Sequence, residues 1–103
     1  MNPRLAAAIS ECCPEILLWG EVDGRPVEAS FDGYSRQPVV WTGEVGSEVE
    51  WIVAGPGGVP VMGWGVEFGG VWIRATLGEA YTPAGGDVIV VVPRLAIDVV
   101  GAG

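Results

Sequence analysis

The stretch ILLWGEVDGRPVEASFDGYSRQPVVW, residues 16–41, decides how the chain folds. Two Asp-Gly pairs, Asp23-Gly24 and Asp32-Gly33, interrupt segments rich in aliphatic and aromatic residues. Two-residue Asp-Gly loops suit the type I′ hairpin turn, so residues 15–42 read as a three-stranded antiparallel meander. In its last strand Tyr34, Arg36, Pro38 and Val40 face one way and Ser35, Gln37, Val39 and Trp41 the other. Pro38 lacks a ladder donor, which marks an edge or a bulge.

Working outward, residues 1–14 follow a different rule. Asn2 and Pro3 form a helix opening, and RLAAAISECC favours helix until Pro14 stops it, giving a short N-terminal helix or arm. Downstream the period is two. EVEWIVA sets Val49, Trp51 and Val53 against Glu48, Glu50 and Ile52. In VMGWGVEF the side chains of Met62, Trp64, Val66 and Phe68 share one face, and Gly63, Gly65 and Glu67 the other. That glycine face lets a neighbouring backbone or ring come close. Gly69-Gly70 turns the chain into VWIRATL, with Val71, Ile73, Ala75 and Leu77 inward and Trp72, Arg74 and Thr76 outward. After the TPAGGD turn, VIVVV reads as a strand buried on both faces, and LAIDV places Leu95, Ile97 and Val99 on one face. About eight short antiparallel strands result, an all-β chain that fits a β-sandwich of jelly-roll or related type ahead of a small barrel. The 103 residues make a single domain, with an arm over 1–14 and the sandwich over 15–100.

Composition restricts function. The chain is 50 % apolar and 17 % charged, and has no run near the ~18 apolar residues that would span a bilayer. Residues 1–20 lack the pattern of a signal peptide, so synthesis in the cytoplasm is expected. A net charge of −8, with five arginines and neither lysine nor histidine, repels phosphate backbones and argues against nucleic acid as a partner. So much apolar residue on a small body points to an interface, either self-association or docking.

The same composition removes most catalysis. Without histidine there is no Ser-His or Cys-His pair, and without lysine no phosphate-loop or Schiff-base chemistry. GWGVEFGG departs from a dinucleotide fingerprint in glycine spacing and continues as strand. Glu48 and Glu50 share a strand face at about the separation of a glycosidase pair, but nothing nearby supplies burial. Glu44, Glu48, Glu50, Asp23 and Asp32 show no ordered calcium-ligand pattern. Cys12 and Cys13, adjacent in sequence, read as free thiols that pack as small apolar residues. The expectation is no enzyme, no cofactor and no metal.

Candidate contact residues remain. Five tryptophans suit core and interface anchoring or stacking on a sugar. Trp51 and Trp64 lie on inward faces and are expected in the core, while Trp19 and Trp72, the latter beside Arg74, are the better surface anchors. Arg36, on the face of Tyr34 in an acidic chain, is expected to grip a carboxylate within the fold or across a subunit contact.

The order GYSRQPVVW, MGWGVEFGG, TPAGGD and RLAIDVV resembles a family of small β-sandwich proteins encoded among the structural genes of tailed bacteriophages, over about residues 31–100. The resemblance implies a virion structural protein. Its leading form is a capsid decoration (cement) protein that docks on the major capsid protein or other virion proteins and forms a homo-oligomer, with a trimer as one form. Two alternatives stand beside it: a minor tail or tail-fibre component that binds a host receptor or glycan, and an acidic anti-defence inhibitor.

Overall fold

The computed structural model describes residues 3–95 and is an all-β fold with one short helix. Helix α1 (Pro3–Cys12) ends as expected before Pro14, while Asn2, its expected cap, lies outside the described residues. Ile9 of α1 is fully buried and fixes the helix to the core.

Among the described residues nine strands follow, all paired antiparallel: β1 (Glu15–Val22), β2 (Arg25–Glu28), β3 (Gln37–Pro38), β4 (Trp41–Thr42), β5 (Val45–Gly46), β6 (Val49–Ile52), β7 (Val61–Phe68), β8 (Val71–Tyr81) and β9 (Val88–Val91). The main sheet has the order β2-β1-β7-β8, with β3 also on β1; β4-β5 and β6-β9 form two small sheets. One cluster joins the layers: Ile16 and Leu18 from β1 and Trp64 and Val66 from β7 share a core with Val49 and Trp51 from β6 and Ile89 and Val91 from β9.

The first Asp-Gly pair behaves as the sequence suggests. Val22 pairs with Arg25, and Asp23 and Gly24 both take positive φ (52° and 76°), as a type I′ turn requires. Gly69 and Gly70 close β7-β8 in the same way. The second Asp-Gly pair does not. Tyr34 N donates to Phe31 O at 3.0 Å, and only Gly33 has positive φ (94°), which is the type II pattern. A type II turn does not carry the twist of a hairpin, and Asp32 instead bridges to Gly55. The expected strand over Tyr34–Trp41 is correspondingly reduced to β3 and β4, and Tyr34, Ser35 and Arg36 lie in a loop.

Other differences also have local causes. Val71, expected inward, is exposed because it stands at the hairpin end beside Gly69-Gly70. VIVVV is covered on one side only: Ile89 and Val91 face the core, while Val88, Val90 and Val92 face outward because no layer lies over the outer face of β6-β9 among the described residues. Leu95 is buried, and Ile97 and Val99 lie outside the described residues.

The glycine face of β7 gives the main sheet a second apolar site. Trp19 stands opposite Gly63 in the register, and a Cβ at Gly63 would come within 1.9 Å of Ala75 O and 2.7 Å of the Trp19 indole nitrogen. Only glycine leaves room for that indole. Leu17 and Trp19 are both buried, yet both lie outside the main cluster, on the reverse face of the sheet.

Candidate functional site

The loop over residues 34–36 is held in place from several directions. Trp51, buried on β6, donates its indole N–H to Ser35 O at 2.7 Å. The Tyr34 ring meets Phe31 edge to face, with centroids 5.4 Å apart. The Tyr34 hydroxyl accepts the Leu18 N–H at 3.3 Å and donates to Glu28 Oε2 at 2.5 Å.

Arg36 completes the arrangement. Its Nε donates to Glu28 Oε2 at 3.0 Å and its Nη2 to Glu28 Oε1 at 2.9 Å, a two-point fork, and Nη2 also reaches Glu67 Oε1 at 3.4 Å. The Trp72 indole donates to that same Glu67 oxygen at 3.3 Å. The chain of contacts therefore runs from β1 through β2 and the loop to β7 and β8. The carboxylate expected for Arg36 is present within the fold.

The electrostatics are those of a latch. The Arg36 hydrogen bonds hold the Glu28 carboxyl below its ordinary range, with a further contribution from Tyr34, while partial burial opposes them. Burial pushes the Tyr34 phenol well above its ordinary value, and the bond to Glu28 adds to this. Arg36 is raised by the same carboxylate. Glu28 therefore stays ionised and fully engaged, which suits it to fixing a loop and unsuits it to accepting a proton at neutral pH.

The remaining candidates form a second group. Trp19, expected on the surface, is only 4 % exposed. Its indole N–H donates to Trp64 O at 3.1 Å and Ala75 O at 3.2 Å, and the Arg74 guanidinium lies 4.6 Å from the ring centroid. Arg74 is thus a cover over Trp19. Trp72 and Arg74 also border a shallow depression with Pro26, Gly70 and Val71. Of the five candidates, Tyr34, Arg36 and Trp72 belong to one hydrogen-bonded chain and Trp19 and Arg74 to one stacked pair.

Cys12 and Cys13 are both free thiols. Cys13 is buried in the core and donates its thiol to Glu67 O at 3.3 Å, whereas Cys12, expected to pack beside it, is exposed because it stands on the outer side of the helix end. Glu48 and Glu50 are both exposed. Among the described residues no group of three or more acidic or sulfur side chains could hold a metal, and no helix is long and apolar enough to cross a membrane.

The surface that sequence reasoning missed is the outer face of β6-β9. Ile52 is 68 % exposed, Val88 53 %, Val90 49 % and Val92 59 %, with Ile52 directly opposite Val88 in the ladder. The alternation that would reveal it is invisible in VIVVV, where both faces are apolar. No protein-family model, curated protein or solved structure matches the chain.

Proposed function

We propose that the protein is a non-enzymatic structural protein that works by docking, and that it is a capsid decoration protein of a tailed bacteriophage, self-associating and sitting on the outside of the shell. The observation that carries the docking part is the outward apolar face of Ile52, Val88, Val90 and Val92. Exposed apolar side chains grouped in this way, with Glu50 beside Val90 as the one acid of the ladder face, favour a contact with protein. The phage setting rests on the sequence resemblance over residues 31–100. The net charge of −8 suits the outside of the shell, since packaged DNA would meet like charge on the inside.

Mass spectrometry of purified particles with copy number, combined with imaging, tests the reading. Abundance on the scale of the shell subunits, with density on the outer surface, is expected. A few copies confined to the tail would replace it with the tail-component reading. Absence from particles, together with capture of a host enzyme, would replace it with the inhibitor reading.

A further inference from the structure

Strand β9 has a neighbour along one edge only among the described residues, namely β6. The ladder shows which groups face the other edge. Val53 N donates to Asp87 O at 2.9 Å, and narrow pairs alternate along an antiparallel ladder, so Ile89 and Val91 direct their main-chain groups at β6. Beyond β9, Gly46 N donates to Pro93 O at 2.8 Å and Leu95 N to Glu44 O at 2.7 Å, so the odd-numbered residues keep the inner side as the chain passes to β5. The N–H and C=O groups of Val88, Val90 and Val92 therefore point away from the fold. Their side chains are exposed as well.

Sheet edges are ordinarily blunted with lysine, inward charge, bulges or proline. This one carries no charge between Asp87 and Pro93, and the chain has no lysine. An open main-chain edge and an apolar outer face lie on the same five residues.

From this we infer that β9 is a self-pairing strand: a second copy of the chain adds its own β9 antiparallel to this edge, about a twofold axis at Val90. The inference deepens the self-association part of the proposed function and rests on it. In this register Val90 meets Val90 of the second copy, and Val88 meets Val92. These are the outward-facing residues, so each pair exchanges two main-chain hydrogen bonds. Three features favour a copy of the same chain. The strand is apolar throughout, so every cross-strand pair on the outer face is valine on valine. The antiparallel sense brings the Asp87 end of one strand to the Arg94 end of the other, opposite in sign where a parallel pairing would set like beside like. Glu50, the acid opposite Val90, stays three strand spacings from its counterpart, roughly 14 Å, beyond the reach of unscreened repulsion in physiological salt. The contact is isologous and closes on itself as a dimer.

Sedimentation equilibrium of the full chain over a range of concentrations, with hydrogen exchange on the same samples, tests the inference. A dimer is expected, with slow exchange at the amides of Val88, Val90 and Val92. Val90→Lys sets two like charges together on the axis and should weaken the dimer at least about tenfold while thermal unfolding of the monomer stays unchanged, since the side chain is half exposed. Val90→Pro removes an outward N–H and no bond to β6, keeps an apolar side chain but fixes φ, and should also abolish the dimer while circular dichroism shows the monomer still folded. A wild-type monomer or trimer, a dimer that survives Val90→Lys, or one that survives Val90→Pro but not Val90→Lys would overturn the edge pairing, the last pointing to face-to-face stacking of valines. A solution monomer found in high copy on particles would sink the pairing and leave the docking reading standing. A solution dimer absent from particles would do the reverse.

Discussion

Arg36 holds Glu28 through two hydrogen bonds of 3.0 and 2.9 Å, each to a different carboxylate oxygen. The side chains are 33 % and 29 % exposed, so solvent screens the pair in part. Removing the fork with Arg36→Ala should cost about 1–2 kcal/mol in denaturant unfolding, because Glu28 then keeps only the Tyr34 hydroxyl. Arg36→Lys keeps the charge and loses the fork, and should recover less than half of that. Unchanged unfolding in both variants would show that the latch contributes nothing.

The same network sets two pH limits. Glu28 has a folded pKa below its ordinary 4.5, so its contribution is present above that value and is lost as pH falls through the lower folded value. Tyr34 is raised above its ordinary 10, so its contribution is present below 10 and is lost as pH climbs through the folded value. Unfolding midpoints measured against pH should show a shallower acid limb in Glu28→Gln and a shallower alkaline limb in Tyr34→Phe. Tyr81, bonded to Asp87, is shifted upward as well, so ultraviolet titration of the folded chain should show both phenols displaced to higher pH relative to the unfolded chain. Half of the phenolate absorbance rising at the ordinary value would contradict one of the two contacts, and all of it both.

Gly63→Ala drives a methyl into Ala75 O and the Trp19 indole, and should cost about 2–3 kcal/mol with a change in tryptophan emission. Gly78→Ala, on the same sheet with nothing near its added carbon, should stay within about 0.5 kcal/mol. Equal effects at the two glycines would show that Trp19 does not occupy the space above Gly63.

Burial, reinforced by the neighbouring Cys12, raises the Cys13 thiol, while Cys12 is exposed. A chromogenic disulfide reagent should label one thiol per native chain quickly and both after denaturation. Fast labelling of both, or of neither, would contradict the placement of the helix end.

Where residue type alone fixes backbone geometry, the sequence was legible. Asp23-Gly24 and Gly69-Gly70 form the turns their composition demands, and the alternation in EVEWIVA sorts Val49, Trp51 and Val53 from Glu50 and Ile52 without error. Asp32-Gly33 misled because the same dipeptide serves a type II turn, and only the distant partner Gly55 distinguishes the two. The short β4-β5 hairpin had a legible but unused signal in Gly43. Of the site, the Arg36 carboxylate was foreseeable from charge, but its identity as Glu28 depended on a loop path that no local pattern encodes. Trp19 was misplaced because its cover comes from a glycine one strand away and an arginine two strands away, Gly63 and Arg74.

One property of β9 follows from its uniformity. Slipping a strand by a single residue ordinarily exchanges its apolar and polar faces and is strongly opposed. In VIVVV the exchange puts valine where valine or isoleucine was, so side-chain burial hardly distinguishes the two alignments. The discrimination comes from the ends: Gly86 N on Val53 O and Asp87 N on Ala84 O before the strand, and the buried Pro93, with its carbonyl on Gly46 N, after it. The alignment of the whole small sheet is thus carried by a few main-chain bonds at two punctuation points, and a one-residue insertion between them would be absorbed as a bulge sooner than as a shifted ladder.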